Sequence, residues 1–138
     1  MKAAENKKMI EFIFSELSRG NDKPFLDAMA EEIQWHWMGT EQWSRTFKGK
    51  SSVLDEFWNA IQAKLKQSFR IIPQRFIADD DYVVVESVGY NADANGKQYA
   101  NKHCWVLLIK EGKIHELNEY MDTALVTRVF QSKSENQA

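Results

Sequence analysis

The chain has 138 residues, 43% hydrophobic and 12% aromatic, enough for one hydrophobic core and too few for two. Eighteen basic against twenty acidic side chains leave a net charge of −2, which argues against a phosphate-tracking nucleic-acid binder. Eight Phe, five Trp and four Tyr exclude a disordered chain.

Taken in chain order, the first third reads as helical. Ile10, Ile13, Phe14 and Leu17 follow the spacing of one helix face, with Met9 and Phe12 widening the stripe, and Arg19-Gly20 is the stop signal. Asn21-Asp22 caps a second, short helix with Pro24 in its first turn. From Ile33 the period changes to two, and Ile33, Trp35 and Trp37 form one face of a half-buried strand. Ser52 opens a Ser-x-x-Asp start signal for a third helix, which carries Leu54, Phe57, Trp58, Ile61 and Leu65 on one side.

Four strand-like segments follow, at 69–78, 82–92, 98–110 and 113–121. Asp79-Asp80-Asp81, Asn95-Gly96 and Glu111-Gly112 separate them as turns. Pro73 marks the first of these strands as bulged or at a sheet edge. Leu125, Val126, Val129 and Phe130 make a closing helix behind Asp122 as its cap, and a polar tail follows. The expected architecture is a single α+β domain over 1–131 with a tail at 132–138, built as a curved, mainly antiparallel sheet with helices across one face.

If Asn95-Gly96 and Glu111-Gly112 are two-residue hairpin turns, Cys104 faces Glu119 on one side and Ser87 on the other. Gly89, Ser87, Val85 and Val83 then share the inner face with Cys104, Val106 and Leu108, and with Leu117, Glu119 and Met121. A bulge at either turn reverses the assignment. The last strand supports the inner face separately, because Leu117, Glu119 and Met121 are more apolar than Ile114, Glu116, Asn118 and Tyr120. Glu119 becomes a carboxylate flanked by apolar side chains, where desolvation disfavours the charged form, as suits a general acid or an adjustable base. The opposite face carries Trp105, Leu107 and Ile109 beside Tyr120, so a second copy of the chain is expected to cover it as a homodimer.

The stretch Glu111-Gly112-Lys113-Ile114, then Glu119-Tyr120-Met121-Asp122-Thr123-Ala124-Leu125-Val126, resembles the end of SnoaL-like proteins, also called ketosteroid-isomerase-related proteins of the nuclear transport factor two-like superfamily. Trp35 to Gly39, Phe47-Lys48-Gly49 and Gly96-Lys97-Gln98-Tyr99 fit the same pattern. The resemblance covers nearly the whole chain and implies a cone-shaped α+β barrel around an apolar pocket. It also implies a general acid/base at Glu119, where polyketide-cyclase members carry an acidic residue. Two mechanisms of the superfamily are not matched. Ser87 and Gly89 stand where the epoxide-hydrolase members use an arginine and an aspartate. Ile33 to Gly39 lacks the aspartate base of ketosteroid isomerase proper, and the first helix lacks its tyrosine.

The candidate site is therefore Glu119 as the catalytic group, with Trp35, Trp37, Phe12, Phe57, Ser87, Cys104, Leu117 and Met121 around the ligand. Aromatic walls suit a flat, hydrophobic molecule. Cys104 reads as a small buried apolar residue, since a thiolate beside a carboxylate is disfavoured. As a lone cysteine it excludes an internal disulfide. His36, His103 and His115 have no metal-ligand spacing, and there is no glycine-rich phosphate loop, so no metal or cofactor is expected. By this register His36 and His103 lie on outer faces. The longest apolar run, 104–109, is far short of the roughly 20 residues a membrane helix needs. No secretory pattern follows the N-terminal lysines, so a cytoplasmic protein without a membrane partner is expected. Two functions fit: an acid/base enzyme for isomerisation, cyclisation or dehydration of an aromatic, polyketide- or steroid-like molecule, and a non-catalytic binding or dimerisation module.

Overall fold

A computed structural model describes residues 2–130, so the polar tail expected at 132–138 lies outside the described residues. Helix α1 (Lys2–Leu17) buries Ile10, Ile13, Phe14 and Leu17 along one face, and Gly20 at φ +83° ends the turn that follows. Helix α2 (Lys23–Asp27) has Pro24 in its first turn. Its entry is held by Asn21, whose Oδ1 accepts from the Lys23 N–H at 3.3 Å, while the Asp22 carboxylate accepts from Trp58 Nε1 at 2.7 Å.

Strand β1 (Met29–Trp37) begins before the alternation at Ile33, because Met29 and Ala30 are both buried and Glu31 and Glu32 both exposed. The chain continues through β2 (Thr46–Lys48) into one helical segment made of α3 (Lys50–Ser52), a π-helical stretch (Val53–Trp58) and α4 (Asn59–Lys64). Ser52 does not start this segment. The helix begins after Gly49, at φ +89°, and the Ser52 hydroxyl donates to the Glu56 carboxylate instead of capping the backbone. The wider π turn presents Phe57 and Trp58 together to the interior.

The second half supplies β3 (Ile71–Asp79), β4 (Tyr82–Gly89), β5 (Asn91–Ala92), β6 (Gln98–Tyr99), β7 (Lys102–Lys110), β8 (Lys113–Met121) and α5 (Thr123–Phe130). The six-stranded sheet runs β2-β1-β8-β7-β4-β3, antiparallel except where β1 lies parallel to β8. It is the expected α+β arrangement, curved around the helices, and the sheet stays open. Edge strand β3 shifts register between Pro73 and Arg75, where proline cannot donate to the ladder. Asp122 Oδ1 accepts from the Leu125 N–H at 3.1 Å and caps α5. No helix among the described residues is long and apolar enough to cross a membrane.

The segments 82–92 and 98–110 are each broken in two, and buried asparagines sit at the breaks. Asn91 Oδ1 accepts from the Arg70 N–H at 2.9 Å and its Nδ2 donates to the Arg70 carbonyl at 3.1 Å. Asn101 Nδ2 donates to Tyr99 Oη and to the Asp122 carbonyl, both at 3.1 Å. These side chains replace ladder partners, so β5 and β6 peel off as a separate ribbon.

The expected register of β7 is wrong on both sides by one residue. The Asn95-Gly96 turn is a three-residue loop with Gly96 at φ +84°, pairing Ala92 with Gln98, so Val85 faces Trp105 and Ser87 faces His103. The Glu111-Gly112 turn has the expected two residues, but a bulge at His115 then sets Leu107 opposite Leu117 and Trp105 opposite Glu119. The two shifts leave β4 and β8 as assigned and turn β7 over. Trp105, Leu107 and Ile109 point into the core, and Ile114 is fully buried. Cys104, Val106 and Leu108 form the outer row that those three were expected to fill.

Candidate active site

Glu119 is 3% exposed, at the centre of an aromatic cluster in which Trp35, Trp105, Phe14 and Phe25 are fully buried. Two indole N–H groups and an imidazole nitrogen converge on its carboxyl group. Trp35 Nε1 donates to Oε1 at 3.0 Å, Trp105 Nε1 donates to Oε2 at 2.9 Å, and His103 Nδ1 lies 2.8 Å from Oε2. Each donor comes from a strand beside β8, so the parallel β1–β8 pair and the antiparallel β7–β8 pair build the site together. A buried carboxyl group is tolerable only when its lone pairs find such partners.

His103 is 5% exposed, and its other ring nitrogen, Nε2, has no hydrogen-bond partner among the described residues. The Phe69 ring stands edge-on to the imidazole at 6.3 Å between centroids. His103 was expected on an outer face, and the inverted β7 brings it inside.

Trp35, Trp37, Phe57, Trp58, Phe69, Tyr99, His103, Trp105 and Glu119 line one cavity, closed on the α5 side by Val126 and Phe130. Its volume is about 30 Å³, room for a water molecule and not for an aromatic ring. Desolvation, the largest influence, pushes the Tyr99 phenol well above its usual range, and Glu119 and Asp122 push it the same way. The phenol therefore keeps its proton.

Trp35, Trp37, Phe57 and Glu119 come together as expected around this cavity. Phe12 does not: it is 59% exposed on the solvent side of α1. Cys104 is also outside, on the outer row of β7, where burial and then the Glu86 charge push its thiol up. Leu117 is fully buried and Met121 half-buried, and neither lines the cavity; the Met121 sulfur accepts from Trp37 Nε1 at 3.0 Å. Ser87 is inward beside His103, but its hydroxyl reaches neither the cavity nor a partner among the described residues. His36 stays outside as expected, bonded to Thr46 and Glu116.

The family model for the SnoaL-like domain matches residues 10–117, most of the chain. The chain belongs to the SnoaL-like family, within the NTF2-like superfamily. No curated protein matches this SnoaL-like chain. Solved structures match it along nearly their whole length. Bal32a, from a soil-derived mobile gene cassette, has a TM-score of 0.81 at 17% identity, over 95% of this chain and 100% of its own. A candidate SnoaL-like polyketide cyclase from Jannaschia sp. CCS1 gives 0.76 at 12% identity, over 95% of each chain. TerC, co-crystallised with polyporic acid, gives 0.74 at 20% identity, over 92% of this chain and 98% of its own. At these identities the likeness is one of fold.

Proposed function

We propose that this SnoaL-like protein is an acid/base enzyme that binds the flat, apolar body of a small molecule over the Glu119–His103 pair. It moves a proton to or from a carbon next to a carbonyl, in an isomerisation, cyclisation or dehydration. The observation that carries this reading is the buried, unpartnered Nε2 of His103, a residue that lines the aromatic cavity. With Nδ1 engaged by Glu119, the ring's proton belongs on Nδ1 and the Nε2 lone pair is free for substrate. Glu119 itself already accepts three N–H groups, so it serves as a positioning residue that also balances the imidazolium once formed.

In the simplest step, the proton leaves the carbon for Nε2, and the bonding pair moves to the carbonyl oxygen as an enolate. The Tyr99 O–H, which keeps its proton, supplies a hydrogen bond to that oxygen. Return of the proton from Nε2 to another carbon completes an isomerisation. The indole N–H groups of the cavity wall cannot take Tyr99's part, because Trp35 and Trp105 serve Glu119, Trp37 serves Met121 and Trp58 serves Asp22. TerC with polyporic acid and the candidate polyketide cyclase support a small organic ligand on this fold.

The test is α-proton exchange of aromatic ketones such as 2-tetralone in D2O, followed by NMR. Native protein is expected to accelerate exchange, and His103→Gln to lower that acceleration about 100-fold or more. Equal exchange by the two proteins would contradict the assignment.

The small cavity favours a second reading, a binding or dimerisation module. The outer sheet face supports a homodimer in either case. Ile77, Val84 and Val106 lie in register across it, and Ile77, Tyr82 and Tyr120 are exposed there. Sedimentation velocity at micromolar concentration is expected to show a dimer, with Val106→Lys shifting it to monomer; a native monomer would remove the proposal.

A further inference from the structure

We infer that the ligand of this site is a planar aromatic or conjugated acid whose anionic group is held outside the cavity, in the cleft between residues 66–70 and the β5–β6 ribbon. The inference rests on the ligand-binding reading of the cavity given above. The cleft encloses about 300 Å³, at the lower end of small-molecule sites, against about 30 Å³ for the cavity behind it. It brings two cations, Lys66 and Arg70, together with polar side chains and no carboxylate, and the Tyr90 ring stands 60% exposed at its rim.

Of the five arginines, Arg70 alone meets no carboxylate among the described residues, and it lines this cleft. Lys2, Arg19, Lys23, Arg45, Arg75 and Arg128 each meet a carboxylate. Among the described residues, Lys66 and Arg70 meet none. Two cations lining one cleft that holds no carboxylate attract an anion, and a guanidinium fork suits a carboxylate.

Cleft and cavity are separated by one thickness of chain. Phe69 lines the cavity while its neighbours Ser68 and Arg70 line the cleft; Tyr99 lines the cavity while Gln98 lines the cleft. Asn91 fastens this wall through both of its hydrogen bonds to the Arg70 backbone. Gly89 sits at the seam, where an added Cβ would stand 3.0 Å from Asn91 Nδ2 and 3.4 Å from His103 Nε2. An acid seated on Lys66 and Arg70 therefore has His103 just beyond the Phe69 wall, and displacing the Phe69 ring opens the way for its apolar body. Anionic head and apolar body are the two chemistries that the two spaces divide between them.

Calorimetric titration with 2-naphthoate and with its neutral analogue 2-naphthamide tests this, with tryptophan emission as the reporter of a ring beside Trp58 and Trp105. Native protein is expected to prefer the carboxylate about tenfold, with quenched emission. That preference collapses to within twofold in the Lys66→Gln/Arg70→Gln variant, and persists in Lys8→Gln. Equal affinity for the two probes, or a preference that survives the double variant, overturns the anionic cleft while leaving the cavity reading intact. Carboxylate binding without quenching overturns the two-part site. Binding of neither probe at millimolar concentration overturns the inference and the cavity reading together.

Discussion

Glu116 and Glu119 stand three residues apart on β8, and each has a histidine within reach. Glu116 faces His36 at 3.3 Å, with side chains 36% and 25% exposed; Glu119 faces His103 at 2.8 Å, with side chains 4% and 3% exposed. The chemical pair is the same and the sheet face differs. Outside, water screens the charges and solvates whatever the partner does not. Inside, every lone pair needs a protein donor, so two indoles join the histidine and the imidazole is left with one free nitrogen. Position across the sheet, not residue type, separates a half-exposed glutamate–histidine contact from a buried one whose imidazole keeps an unpartnered nitrogen.

The contrast breaks most visibly in stability. Glu119→Leu strands two buried indole N–H donors and the His103 ring and is expected to cost about 3–5 kcal/mol in denaturant unfolding, whereas Glu116→Leu is expected to cost under about 1 kcal/mol. Equal unfolding midpoints for the two variants would mean that the inner pair is no more demanding than the outer one.

A smaller effect separates the two indoles of β1. Trp35→Phe keeps an aromatic ring but removes a donor to a buried carboxylate, an expected loss of about 1.5–3 kcal/mol. Trp37→Phe removes only a donor to the Met121 sulfur and is expected to cost less, measured by the same unfolding curves.

The smallest expected effect lies on the outer row. Burial first, and then Glu86, raise the Cys104 thiol, so its alkylation by iodoacetamide is expected to accelerate only toward alkaline pH. Glu86→Gln removes a negative charge and should move the rate profile slightly to lower pH. An unchanged profile would show that the Glu86 charge does not reach the thiol.

How much of this was legible depends on contrast between adjacent residues. On β1, Trp35 and Trp37 alternate with Gln34 and His36, and on β8, Leu117 and Glu119 were set against Asn118 and Tyr120; both inner faces were readable. On β7, Cys104 to Ile109 are apolar without a break, so alternation carried no information and the face hung on turn geometry. A three-residue loop and a bulge at His115 each moved it by one residue, and His103 was lost with it. Side-chain bulk was the available signal, since Trp105, Leu107 and Ile109 outweigh Cys104, Val106 and Leu108. Phe12 was misplaced for a different reason: two residues from both Ile10 and Phe14 is about 200° around a helix, so it points away from both. The β1–β8 pairing joins Trp35 to Leu117 across the chain, and no local turn announces it.

In this reading Glu119 holds His103 with its proton on Nδ1 and leaves Nε2 bare. Nitrogen-15 NMR of the histidine rings at neutral pH, with the His103→Gln variant to assign the signal, reads this directly. His103 is expected to show a protonated Nδ1 and an unprotonated Nε2. A proton resident on Nε2, with Nδ1 bare, would contradict it.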